Sequence, residues 1–254
     1  PWLVRVPERI GYAGEGRRGL LNHRLPNPTG RPPMVAFYGA LAGTAFDANA
    51  RPALRLDDAV IDAALAAAYW VFAPGAEYGP AKRWPAGHYA ALARSLHAAD
   101  GSIVVLLGSA GEAELCQEIA AAAPGACRVL AGHTSLFEAM ALIAASRGLA
   151  SNDSGLMHVA AAFGVPQVAM FGSTSPLHTP PLNPRARVLW LKDELGLACM
   201  PCFERTCRYG HMLCLTSIAP ERAEAELQRA TRAAPAPPAP PSRREENEAG
   251  RVRS

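Results

Sequence analysis

The stretch Asn152-Asp153-Ser154-Gly155, with His158 shortly after it, gathers a carboxylate, a hydroxyl and a glycine at a turn that runs into apolar LMHVAAAFG. These residue types suit an anion or a sugar held at a helix mouth, where free N–H groups and the helix dipole attract phosphate. Asp153 or Ser154 is expected to cap the helix by satisfying an early N–H, and Gly155 lets a ligand come close to the backbone. Leu156, Val159, Ala160 and Phe163 recur at i, i+3, i+4 and i+7, which makes them the expected core-facing stripe. His158 lies off that stripe, on the side of Ser154. Helical side chains lean toward the N-terminus, so its ring is expected to point back at the mouth. A histidine filling the core would have to sit on the stripe, and the spacing disfavours it. Contact with a phosphate, or with the sugar attached to it, is the better reading.

A second anion-binding pattern lies in FAPGAEYGPAKRWPAGHYAALARSL. A strand ends at Phe72, a Pro-Gly turn follows, and Lys82 precedes Trp84-Pro85. Proline suits the first turn of a helix, where its missing N–H costs nothing. Lys82 is therefore expected at a strand's carboxyl end beside a helix N-terminus. The order Gly-Lys-Ser/Thr of a Walker loop is absent. Gly14-Glu15-Gly16-Arg17-Arg18-Gly19 matches G-x-G-x-x-G literally, but the dinucleotide fingerprint needs a strand before it and a helix after it. RIGYA is too short and polar for a central strand, and LLNHRLPNP runs into prolines, so a surface loop is expected. Cys199, Cys202, Cys207 and Cys214 crowd into CMPCFERTCRYGHMLC. Four thiolates at such spacing could hold a structural Zn²⁺, although the second pair is wider than a usual zinc knuckle. Cys116 and Cys127 read as buried free thiols.

The elements that must position these residues follow a strict alternation. WVFAPG, SIVVLLGS, CRVLAG, RGLASND and PQVAMFG read as short buried strands. HYAALARSLHAA, EAELCQEIAAAA and SLFEAMALIAAS between them carry helical spacing. RVLWLK adds a late strand and PERAEAELQRATRAA a closing helix. Such alternation predicts an α/β fold, a Rossmann-like doubly wound parallel sheet with ligands at the carboxyl ends of its strands. Residues 1–55 are turn-rich, with MVAFYGALAG as their one helix. Residues 56–232 are the expected Rossmann-like domain, and 233–254 a disordered Pro-rich, charged tail. The 254 residues are half hydrophobic, enough for one substantial core. A net charge of +3 is too weak to argue for nucleic acid, though it could help at an anionic membrane surface. No apolar run approaches the ~18 residues needed to cross a bilayer, and no secretion signal is visible, which favours a cytoplasmic setting. The chain opens on Pro1, and PWLVRVPERIGY reads like mid-domain sequence, so N-terminal incompleteness is expected.

VFAPGAEYGPAKRWPAGHYAALA, SNDSGLMHVAAAFGVP, FGSTSPLHTPPLN and CMPCFERTCRYGHMLC together resemble the lipopolysaccharide heptosyltransferases of glycosyltransferase family 9, and RIGYAGEGRRGLLNHR resembles their N-terminal half. The resemblance covers residues 5 to 230 in family order. It implies GT-B architecture, two Rossmann-like domains facing a cleft, with residues 1–55 as a remnant of the acceptor domain and linker and residues 56–232 as the nucleotide-sugar-binding domain. It implies inverting transfer of L-glycero-D-manno-heptose from ADP-heptose to the first heptose of the inner core, on heptosyl-Kdo2-lipid A, with no cofactor required. Residue by residue, Lys82 matches the family lysine on the donor phosphates. Asp153, Ser154, Gly155 and His158 match its D-[ST]-G-x-x-H donor set, and Thr134 falls near the adenine pocket. Lys82 and His158 would stabilise charge on the departing ADP. The family's proposed base, an aspartate in the first βα turn of the N-terminal domain, has no counterpart in these residues, so donor binding with weak or absent transfer is expected. The membrane-anchored acceptor implies a peripheral position on the inner face of a Gram-negative inner membrane. Another GT-B nucleotide-sugar transferase, or a non-catalytic nucleotide-sugar-binding module, are the alternatives.

Overall fold

The computed structural model describes residues 5–43, 51–57 and 68–233. The expected tail at 233–254, apart from Ala233, and residues 58–67 lie outside the described residues. Six strands form one sheet: β3 (Tyr69–Ala73), β4 (Ile103–Leu106), β5 (Cys127–Val129), β6 (Leu149–Asn152), β7 (Gln167–Met170) and β8 (Ala186–Leu189). Their order is β5-β4-β3-β6-β7-β8, and every neighbouring pair is parallel. Both faces of such a sheet are covered by crossover helices, so its strands read as apolar runs rather than as alternation. All five residues of β3 and all four of β6 and β7 are buried. Between β3 and β6 the chain reverses the direction in which it adds strands. The crevice at that switch point is where open α/β sheets take ligands.

The covering helices are α2 (Ala86–Asp100), α3 (Ala113–Ala122), α4 (Leu136–Ala144) and α5 (Gly155–Ala162), and α8 (Pro220–Arg232) closes the sheet. Short helices α6 (Lys192–Leu195) and α7 (Leu213–Thr216) lie in the connection before it. Pro85 is the N-cap of α2, one residue ahead of the expected first turn. Ser135 caps α4 by accepting from the Glu138 N–H, and Glu138 returns the bond, a reciprocal capping box. Trp84 is 1% exposed, and its indole Nε1 donates to the Ile218 carbonyl at 2.9 Å. Burying so large a ring stabilises by about 3 kcal/mol, and it fixes the chain two residues after Lys82.

One helical expectation needs correction. The buried residues of α5 are Met157, Ala160 and Ala161, whereas Leu156, Val159 and Phe163 are only partly buried. The helix is wedged between β6 and β7 on one flank and α4 on the other. Met157 meets Ala169 and Phe171, small alanines allow close approach, and the bulkier residues fill the edge beside α4. His158 is exposed on the remaining side.

Before the large sheet, β1 (Ile10–Tyr12) and β2 (His23–Leu25) form a separate two-stranded parallel sheet, and α1 (Met34–Leu41) packs near it. Tyr12 stacks on Phe37 with centroids 4.1 Å apart and donates to its carbonyl. A strand therefore does precede Gly14-Glu15-Gly16, but turns and then β2 follow instead of a helix. Without a helix N-terminus the glycines have no phosphate cradle to open.

Candidate functional site

The site is built at the carboxyl ends of β3 and β6. After β3 the chain turns through Pro74-Gly75 and a 3₁₀ turn at Pro80–Lys82. β6 ends at Asn152, and Asp153 and Ser154 lead directly into α5. Asn152 is fully buried and joins the two strand ends. Its Oδ1 accepts from the Trp84 N–H at 2.9 Å and from the Tyr89 hydroxyl at 3.2 Å. Its Nδ2 donates to the carbonyls of Pro74 at 2.6 Å and Gly75 at 3.3 Å. Every polar group of this side chain is satisfied, as burial requires.

Asp153 is 5% exposed and holds three donors. Lys82 Nζ lies 2.6 Å from its Oδ2, the Thr174 hydroxyl donates to the same oxygen at 2.7 Å, and the Thr179 hydroxyl donates to Oδ1 at 3.2 Å. Lys82 is 14% exposed and also sits 5.0 Å from the Tyr78 ring centroid. An ammonium offers three protons, and the pairing with Asp153 leaves it able to donate to a ligand oxygen. This pair keeps Lys82 fixed at the mouth of α5.

The cap differs from expectation. Ser154 occupies the N-cap position with extended backbone, yet its hydroxyl makes no bond to the helix N–H groups and has no partner among the described residues. Asp153 does not cap either, because its carboxylate is committed to Lys82 and the two threonines. The first amides of α5 thus lack a side-chain cap, which suits an incoming anion. A Cβ built on Gly155 would meet nothing within 4 Å, so the backbone here faces open space.

Two cavities flank this point. One of about 330 Å³ is lined by Gly75, Glu77, Ser109, Glu112, Leu136 and Gly155 among others. The second, about 590 Å³, lies between α1 and α5, with His158, His178, Thr179, Met34 and Arg51 in its walls. His158 opens onto this second cavity, and the protein around it strips enough water to hold its imidazole below the ordinary 6.5. Asp153 pulls it upward and Lys82 downward, both more weakly than that desolvation.

Lys82, Asp153, Ser154, Gly155 and His158 therefore converge. Thr134 does not: it is half-buried just before α4, and the smaller cavity takes Leu136, the first residue of α4, instead. The four clustered cysteines line one small cavity of their own, with Ser173, Arg208 and His211. All are free. Among the described residues, no group of three or more His, Cys, Asp or Glu side chains is placed so as to hold a metal ion. The four thiols gather around this cavity without that geometry. Burial first, and the other three thiols next, push Cys214 up to about 11. Backbone N–H groups, that of Met212 foremost, hold Cys207 below its ordinary value. Cys116 is fully buried and Cys127 half-buried on β5, and burial pushes them to about 12 and about 11. Asn152, Thr174, Thr179, Glu112 and His178 were missed in the sequence. The FGSTSPLHTPPLN block holds three of them, and Asn152 lies within SNDSGLMHVAAAFGVP.

The profile of glycosyltransferase family 9 (heptosyltransferase) matches residues 1–213. The chain belongs to glycosyltransferase family 9. It is 43% identical over 212 residues to lipopolysaccharide heptosyltransferase 2 of Salmonella typhimurium and, equally, to that of Escherichia coli K12. Each match covers 75% of this chain and 61% of the relative, so the chain spans about three-fifths of the length of these curated relatives. The solved structure of the E. coli ADP-heptose lps heptosyltransferase II superposes with a TM-score of 0.76 at 38% identity, over 91% of this chain and 72% of that one. A family 9 structure from Veillonella parvula, at 20% identity and a TM-score of 0.73, shares the fold. The six-stranded sheet is thus the family 9 α/β arrangement, with GT-B heptosyltransferases as its structural neighbours.

Proposed function

We propose that this chain carries the donor site of an enzyme that transfers a heptosyl group, with inversion, from ADP-heptose to the first heptose of the lipopolysaccharide inner core. The observation that carries the reading is the Lys82–Asp153 pair beside the uncapped N-terminus of α5, at the switch point of a family 9 sheet. The diphosphate lies on the amides of Ser154 and Gly155, within reach of Lys82 and His158. The nucleoside occupies the 330 Å³ cavity and the sugar points past Asp153 into the 590 Å³ cavity. Breaking the glycosyl–phosphate bond builds negative charge on the departing ADP. Fixed N–H groups and the Lys82 ammonium stabilise that charge more in the transition state than in the ground state. This arrangement asks for no metal. A lipid-anchored acceptor places the enzyme peripherally at the inner face of a membrane, and among the described residues no helix is long and apolar enough to cross one.

A second reading, donor binding without transfer, rests on one observation. The described lining of the larger cavity contains His158 and His178 but no carboxylate to take the acceptor's proton. Incubating the chain with ADP-heptose and heptosyl-Kdo2-lipid A, and following both products by mass spectrometry, separates the two. Heptosyl transfer supports the first reading. ADP binding without transfer supports the second. Failure to bind ADP or ADP-heptose at all would remove both.

A further inference from the structure

The loop after β7 is tied at both ends of its tight turn, and the two ties lead to different parts of the molecule. His178 Nδ1 lies 2.6 Å from the Pro32 carbonyl, and the His178 carbonyl accepts from the Met34 N–H at 2.9 Å. A carbonyl can only accept, so Nδ1 carries the proton and the ring's tautomer is set. Pro32 and Met34 belong to the segment leading into α1, one wall of the 590 Å³ cavity. Thr179, the next residue, donates to Asp153 Oδ1, and Thr174 at the start of the loop donates to Oδ2. Between them, His178 N and Thr179 N both donate to the Ser175 carbonyl, at 3.0 and 3.2 Å, and Leu177 N donates to the Ser175 hydroxyl. The turn is internally bonded, so movement at His178 moves Thr179.

We propose that His178 is a positioning residue: a latch through which the wall formed by Pro33–Val35 sets the orientation of the Asp153 carboxylate, and with it Lys82. Seating a polyhydroxylated acceptor sugar against that wall then favours the donor-ready arrangement, coupling the two substrates. This rests on the donor reading above for its functional consequence, but the latch itself is testable without it.

The variants are His178→Ala, His178→Asn, whose amide can keep the donor toward Pro32, and Thr179→Val. The first measurement is amide hydrogen exchange by mass spectrometry on the whole chain. Faster exchange is expected in His178→Ala both at residues 34–37 and at the Ser175–Thr179 turn, with restoration in His178→Asn. Acceleration confined to 34–37, or no rescue by asparagine, overturns the latch whether or not ADP binds. The second is ADP affinity by calorimetry. His178→Ala is expected to weaken it about fivefold, roughly the worth of one net hydrogen bond. His178→Asn stays within about twofold, and His178→Ala with Thr179→Val is less than additive because both act through Asp153. Full additivity, or unchanged affinity in His178→Ala, also overturns it. A wild-type chain that binds no ADP yet shows the exchange pattern contradicts the donor reading and leaves the latch standing.

Discussion

Two loops flank Lys82, and both were conspicuous for their side chains. In the β6–α5 turn, the buried side chains do the positioning: Asn152 makes bonds to four groups and Asp153 accepts from three donors. In the four-cysteine loop, the backbone and a tyrosine tether do it. Arg205 O accepts from Ala81 N at 3.0 Å, Phe203 N donates to Ser173 O at 2.7 Å, and the Tyr78 hydroxyl donates to Phe203 O. Its thiols face a separate cavity. A cluster of reactive residue types marks a place in the fold, but only the pairing of its atoms tells which groups address a ligand.

The comparison breaks most visibly at Lys82. Lys82→Met leaves the Asp153 carboxylate buried with only two hydroxyl donors, which is expected to cost about 3 kcal/mol of stability. ADP affinity should fall at least about tenfold, since a charge-assisted bond is worth ~1.5–3 kcal/mol. Denaturant unfolding and calorimetry check the two halves. Asn152→Ala comes next. It strands the carbonyls of Pro74 and Gly75 and the Trp84 N–H, and about 2 kcal/mol of destabilisation is expected.

His158 gives a smaller, pH-dependent signal. Its folded-state pKa is lowered below 6.5, so between the two values the unfolded chain binds more protons. Stability from this group is present above about 6.5 and declines as pH falls through the lowered value. Thermal unfolding between pH 5 and 8 should show that slope in the wild type and lose it in His158→Gln. A bound diphosphate should pull the pKa up again, so ADP binding below neutral pH is expected to take up a proton in wild type only.

The smallest effect is expected at Cys207→Ser. A hydroxyl accepts the same N–H groups that surround the thiol, so melting temperature and ADP affinity should barely move. A large drop in stability together with loss of bound zinc, read by elemental mass spectrometry, would instead make the cysteine loop a metal centre and erase the contrast.

The fold was legible because buried parallel strands leave apolar runs that helices interrupt, and each of the six strands of the large sheet falls on one of those runs, with β3 and β8 starting one residue earlier at Tyr69 and Ala186. The side on which His158 stands was legible from helical spacing, although the core stripe itself was misjudged. Spacing gives angular position but not which flank has a neighbour, and Met157 with Ala161 took the place of Leu156 and Phe163. The donors to Asp153 were not legible as such. Thr174 and Thr179 lie more than twenty residues downstream and reach it only because β7 runs beside β6. Nor was the missing cap: Ser154 looks like a cap in any local reading, and only the prior commitment of Asp153 and the open mouth show that its hydroxyl bonds no helix N–H.

The central claim is that this turn holds a diphosphate, and calorimetry of ADP against adenosine tests it most directly. Wild type is expected to bind ADP at least about tenfold more tightly than adenosine, a difference of ~1.4 kcal/mol from the phosphate contacts alone. Lys82→Met is expected to remove most of this preference. Equal affinity for the two ligands, or a preference that survives Lys82→Met intact, would contradict it.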